Sequence, residues 1–232
     1  MYIQHLTKFS IVNNFDKKAV IFDMDGVIID SEPLWKEAEI SVFKKYGYNF
    51  TYEMCEETKG MRVDEVTVYW KKKLKANFNA GQVKDDIIAA IINLIKDKGK
   101  AMEGLNEVVH KLSSQGFKIG LASSSPLAII ETVIKKLEIE NYFEVIHSAE
   151  FETYGKPHPQ VFITAAKKLN IPVENCWVIE DSFYGLIAAI AAKMKTIALP
   201  ASDEPNIKKF IIADFIANSH IDIIKNEPYN NF

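Results

Sequence analysis

Short unbroken apolar blocks alternate along most of the chain with longer stretches in which apolar residues recur every three or four positions. The block AVIF at 19–22 stops abruptly at Asp23. An apolar run of that length and composition marks a strand buried on both faces. Similar blocks at 118–125, 142–150, 176–181, 195–200 and 214–219 predict further strands. Helix-period patterns at 105–115, 126–137, 159–169 and 183–192 lie between them. Gly116 stands where it can close the first of these, and Pro126 and Pro159 stand where first-turn prolines are tolerated. Strands alternating with helices of this length predict an α/β fold, a Rossmann-like, doubly wound parallel sheet.

That rhythm breaks between about residues 33 and 100. The patterns there predict successive helices over 35–46, 51–58, 63–74 and 79–98 and no strand. Ile87, Ile88, Ile91, Ile92 and Ile95, for example, follow a helical period. The simplest account is an all-helical domain, residues 33–99, inserted into an α/β core made of 18–32 and 100–232. Residues 1–17 form an N-terminal tail with no evident role. The lysine-rich run at 70–75 reads as a solvated helix face.

Composition narrows the class. With 232 residues, 48% hydrophobic and 25% charged, the chain is an ordinary globular protein with enough length for a sizeable core. A net charge of −3 gives no general attraction to nucleic acid or to an anionic membrane. No run of about 18 apolar residues occurs, and the first residues lack the apolar stretch of a signal peptide. Cys55 and Cys176 form no CxxC pair and read as buried or idle thiols. The expectation is a cytoplasmic monomer in a reducing setting, with neither a nucleic-acid nor a membrane partner.

In open α/β sheets ligands bind beyond the carboxyl ends of the strands. The predicted strands deliver Asp23-Met24-Asp25-Gly26, Ser123-Ser124-Ser125, Lys156 and Glu180-Asp181-Ser182 to that edge. Carboxylates from two strands can hold a hard cation such as Mg2+. A lysine and hydroxyls can bind phosphate oxygens, and Gly26 lets the backbone turn sharply beside an anion. A carboxylate nucleophile beside a second carboxylate can split phosphoryl transfer into two easier steps.

These residues also resemble a family. Asp23-Met24-Asp25-Gly26-Val27-Ile28-Ile29-Asp30-Ser31 is similar to the first motif of the haloacid dehalogenase superfamily. Ser123, Lys156 and Glu180-Asp181 stand in order where its second, third and fourth motifs fall. The resemblance covers about residues 18–224, and the helical insert sits where that superfamily carries a cap. It implies that Asp23 attacks phosphorus and that Asp25 is the general acid and base. It implies Mg2+ held by Asp23, the Asp25 carbonyl and Asp181, with Glu180 directly or through water. Ser123, Lys156 and backbone N–H groups near Gly26 and Ser124 would bind the phosphoryl group.

Within the superfamily, Asp25 argues against a dehalogenase, which needs only the nucleophile. It also argues against phosphonoacetaldehyde hydrolase, whose Schiff-base lysine Lys59 could suggest. Residues 30–35 and 59–64 resemble sugar-phosphate and hexitol-phosphate phosphatases. The substrate, a small phosphorylated metabolite, would be selected by Trp35, Lys59, Gly60 and Arg62 of the insert. The alternative is β-phosphoglucomutase, in which a cap histidine helps switch on the acid/base residue and a cap arginine grips a second phosphate. Trp35 and Val63 stand at those places here. A non-catalytic phosphate-binding protein is the remaining alternative. Bland readings stand beside the sharp ones. Asp30 and Ser31 would cap the first insert helix, Ser125 would be an N-cap, and Asp181 could cap a helix instead of binding metal. His158 would serve a loop or an N-cap, and His147 would lie in the core or at its rim.

Overall fold

Strand β1 (Ala19–Phe22) has every residue buried and lies at the centre of the sheet. Beside it lie β2 (Lys118–Ser123) and β4 (Cys176–Glu180), with β3 (Val145–Ser148), β5 (Lys195–Ala198) and β6 (Phe215–Ile216) outside them. The computed structural model describes residues 17–202 and 204–230, so nearly all of the N-terminal tail lies outside the described residues. The order β3-β2-β1-β4-β5-β6 is parallel at every pairing, with Ala19 opposite Lys118 on one side and Cys176 on the other. The chain runs outward from β1 to β3 and then returns to the other side of β1. That reversal opens a crevice at the carboxyl end of β1.

Successive residues of β1 feed opposite layers. Val20 and Phe22 join a cluster with α5 (Leu105–Ser114) and α6 (Leu127–Leu137). Ala19 and Ile21 join another with α7 (Gln160–Leu169) and α8 (Phe183–Ala191). This alternation is the period-two signature of a strand covered on both faces.

Between β1 and α5 run α1 (Glu32–Lys45), α2 (Tyr52–Glu57), α3 (Val63–Lys73) and α4 (Ala80–Lys98). Their own core holds Phe43, Phe50, Val66, Trp70, Phe78, Val83 and Ile87. One turn on from Ile87, Ile91 and Ile95 turn to the α/β core together with Leu34 and Ala38 of α1. The two crossing segments are zipped together: Ile29 bridges Ala101, Asp30 N–H donates to the Lys100 carbonyl at 3.1 Å, and Met102 N–H donates to Ile28 at 2.9 Å.

Several elements differ from expectation. The third strand begins at Val145 rather than residue 142, because Glu140–Tyr142 wind into a 3-10 turn. A further helix, α9 (His220–Asn226), follows the last strand; Ser219 caps it by accepting from Asp222 N–H at 3.2 Å. Helix α1 starts earlier than its apolar pattern because Pro33 fits the first turn. Trp70 is no part of a solvated face: it is 1% exposed at the centre of the insert core, and only the lysines after it face water.

Candidate active site

Each strand end near the reversal contributes one group. Asp23 follows β1 directly, its N–H tied to the Ile179 carbonyl of β4 at 2.9 Å. Glu180 closes β4, Ser123 closes β2, and Lys156 reaches in from the loop after β3. Lys156 Nζ donates to Asp23 Oδ1 and to Glu180 Oε1, each at 2.6 Å, and all three residues are buried. The other Glu180 oxygen accepts from Ser182 N–H at 2.7 Å and Ser182 Oγ at 2.9 Å. Glu180 therefore holds the lysine on one side and the start of α8 on the other. Ser182, not Asp181, caps α8 by accepting from Gly185 N–H at 3.0 Å.

That packing leaves no room at Gly185. A Cβ there would overlap the Glu180 carboxyl. Alanine at 185 is expected to lower the melting temperature, with a loss of about 1–3 kcal/mol typical of overpacking. A variant melting with the parent would contradict this placement. Gly26 is constrained in the same way: its φ is +74° and a Cβ would lie 2.5 Å from Asp181 Oδ2. Its own N–H is taken by the Ile29 carbonyl at 2.9 Å, so any N–H offered to a phosphate near Gly26 comes from a neighbouring residue. Its part is to let the backbone pass Asp181.

Asp25 is held from three sides. Oδ1 accepts from Ser31 Oγ at 2.6 Å and Trp35 Nε1 at 2.8 Å, and Oδ2 accepts from Ser125 Oγ at 2.7 Å. Ser31 and Ser125 were expected only to cap helices, yet neither side chain does so. Their hydroxyls are drawn instead to the carboxyl.

Asp23, Glu180 and Asp181 each offer a carboxylate oxygen within 4.8 Å of the others. Burial above all raises Asp23, with Lys156 opposing and Glu180, Asp181 and Asp25 adding to the rise. Asp181 is pushed up to about 7, by burial first and then by Glu180. Lys59 Nζ, from the insert, lies 3.5 Å from Asp181 Oδ2 and 3.6 Å from Glu32 Oε2. The two lysines thus leave negative charge unbalanced, and an all-oxygen donor set of this kind suits a hard divalent cation.

One cleft joins these groups. Its core wall carries Asp23, Asp25, Ser123, Ser124, Lys156, Glu180 and Asp181, and its insert wall includes Trp35, Lys59 and Gly60. Ser124 Oγ is buried with no hydrogen-bond partner among the described residues. Arg62 does not line this cleft. Its guanidinium donates to the Ala149 and Glu152 carbonyls at 3.2 and 2.9 Å and pairs with Asp64, passing beside Gly155 where only a glycine leaves space. Arg62 therefore fastens the insert to the core. His158 Nδ1 accepts from Gln160 N–H at 3.3 Å, and buried His147 pairs with Glu152, both away from the cleft.

Sequence reasoning passed over much of the rest of that wall, including Glu32, Lys36, Glu39, Cys55, Thr58 and Met61. Burial, opposed by the Cys55 thiol and reinforced by Glu32, pushes Glu39 up to about 7. A carboxyl raised from 4.5 to about 7 by folding favours the native state below pH 4.5, and that contribution is lost as pH rises through 7. Glu39→Gln should therefore raise stability relative to the parent at pH 8, by something on the order of 2 kcal/mol, and by much less at pH 5. Melting curves at the two pH values check this. An equal effect at both would contradict the buried, raised carboxyl.

A family model described as haloacid dehalogenase-like hydrolase matches residues 20–199. Hexitol phosphatase B of Escherichia coli K12 is 38% identical over 198 residues, 84% of this chain and 89% of that protein. The phosphorylated carbohydrates phosphatase of Thermotoga maritima is 29% identical over 78% of this chain and 83% of its own. Among solved structures, β-phosphoglucomutase from Clostridium difficile is 27% identical with a TM-score of 0.78, covering 92% of this chain and 97% of that one.

Proposed function

The chain belongs to the haloacid dehalogenase-like hydrolases, and from that premise we propose that it is a Mg2+-dependent phosphatase of small sugar or polyol phosphates. It would work on soluble metabolites in the cytoplasm as a monomer; among the described residues no helix is long and apolar enough to cross a membrane. The observation that carries the reading is Asp25, a second acid held by Ser31, Trp35 and Ser125 on the cleft shared with Asp23. A second acid serves a leaving group that must be protonated, which an alcohol from a phosphate ester is. The kinship with two phosphatases of phosphorylated polyols and carbohydrates supports the same class.

Lys156 engages Asp23 Oδ1, leaving Oδ2 to attack phosphorus as the bond to the alkoxy oxygen breaks. Asp25 gives its proton to that oxygen. Water then opens the aspartyl phosphate and passes its proton to Asp25, so both carboxyls return to their starting states. Lys156 offsets charge on the phosphoryl oxygens, and the hydroxyls of Ser123 and Ser124 would bind them, Ser124 with a hydrogen bond to spare. Asp23, Asp181 and the Asp25 carbonyl would hold Mg2+, with Glu180 contacting it directly or through water. The ion would supply positive charge against the phosphate. Residues 33–99 would form a cap that opens about 30–33 and 99–103 and excludes bulk water when closed.

The likeness to β-phosphoglucomutase favours a second reading, phosphosugar mutase. The hydrogen bond from Trp35 to Asp25 argues against it. An indole can only donate and does not titrate, so it cannot hold Asp25 in reserve as a histidine can. The test is phosphate release from hexitol and hexose 6-phosphates, abolished by EDTA and restored by Mg2+. With β-glucose 1-phosphate followed by NMR, free phosphate should appear and glucose 6-phosphate should not. Faster appearance of the 6-phosphate would replace the reading with the mutase.

A further inference from the structure

Ser31, Trp35 and Glu39 follow one another at intervals of four residues, so they share one face at the start of α1. The first two reach Asp25. The third stands one turn farther along, a rise of about 6 Å from Trp35, and lines the same cleft. Glu39 is 8% exposed, and its Oε2 is buried with no hydrogen-bond partner among the described residues. Its carboxyl meets the Cys55 thiol, a weak donor, and the charge of Glu32. A buried carboxyl left half-satisfied costs stability, and it is retained where a ligand completes it.

We propose that Glu39 is a substrate-binding residue, its Oε2 taking a hydroxyl of the sugar or polyol carried by the phosphate. The inference rests on the phosphatase reading and deepens it. With the phosphoryl group at Asp23 and Lys156, the organic part of the substrate extends along α1, past Trp35, to Glu39. A hydroxyl both donates and accepts, so it partners Oε2 whether or not the carboxyl holds a proton. The apolar residues Met61, Val63 and Val66 line the same cleft and offer a substrate hydroxyl no side-chain partner. A site built to hydrogen-bond a substrate hydroxyl discriminates strongly against a substrate that lacks one.

The test compares sorbitol 6-phosphate and a panel of other hexitol and hexose 6-phosphates with p-nitrophenyl phosphate, which has no hydroxyl to bind. In Glu39→Leu the ratio of kcat/KM for the best hydroxylated substrate to that for p-nitrophenyl phosphate should fall about tenfold, mainly through KM. Glu39→Gln keeps a donor and an acceptor and should recover most of the ratio. Both variants should melt no lower than the parent, which separates a binding role from a structural one. An unchanged ratio in Glu39→Leu overturns the inference alone, whereas a parent that turns over p-nitrophenyl phosphate but no hydroxylated substrate overturns the sugar or polyol part of the phosphatase reading and the inference with it. A parent inactive on every phosphate monoester overturns the phosphatase reading and this inference with it.

Discussion

Asparagine in place of Asp23 is expected to lower phosphate release by about ten-thousandfold or more, the scale on which loss of a covalent nucleophile is felt. An amide cannot form the acyl phosphate, and neither Asp25 nor Glu180 is free to substitute. Asp25 is pinned by three donors, and both oxygens of Glu180 are occupied. Folding should survive the change. Glu180 still holds Lys156, and the native Asp23 carboxyl is already disfavoured as an anion by its burial. Without divalent ions the variant should therefore melt at or above the parent, and added Mg2+ should raise its melting temperature less. Turnover within tenfold of the parent would remove Asp23 from the chemistry.

The second large effect separates the two halves of the reaction. Asp25→Asn should slow hydrolysis of hexitol phosphates by about a hundredfold to ten-thousandfold, since protonation of an alkoxide is then unassisted. With p-nitrophenyl phosphate the leaving group needs little protonation, so Asp23 can still be phosphorylated. Opening of the aspartyl phosphate still requires a base for water. The expected trace is a rapid burst of about one p-nitrophenolate per enzyme, followed by a slow steady phase. Rapid quench with acid-stable detection of phosphate on the protein measures it directly. A variant slow on p-nitrophenyl phosphate from the first turnover, with no burst, would mean that Asp25 positions the nucleophile and does not carry protons.

The fold and the core groups of the site were legible for the same reason. Strand ends are where a short apolar run stops, and in this chain the runs stop at Asp23, at the serines and at Glu180-Asp181. What could not be read is which way a side chain turns after the strand ends. Ser31 and Ser125 occupy good capping positions, and only the approach of α1 and α6 to Asp25 shows that they serve the carboxyl instead. Arg62 looked like a substrate ligand beside Lys59 and Gly60. One residue of helical advance carries it out of the cleft to the carbonyls of Ala149 and Glu152. Gly26 had the right residue type for an anion site, but its N–H closes a local turn. Glu39 did leave a trace, since the interval 31, 35, 39 is helical, but polar residues at that spacing are common on exposed helix faces. Helix α9 was missed because its seven residues are too short for a periodic signal, and Ser219 with Asp222 is its main mark.

The pairing of residues 28–30 with 100–102 has a consequence for how such a protein can change over generations. Because the outgoing and returning chain already touch, the helical segment is a detour and not a link in the sheet. The ends of β1 and α5 would meet whatever lies between them. The entropy of closing such a detour rises by only about 0.6 kcal/mol for each doubling of its length. Segments of other lengths and shapes can therefore be exchanged at this point with little effect on the α/β layers. The groups at the strand ends stay fixed while the wall that faces them is rewritten, so new substrates can be acquired without rebuilding the chemistry.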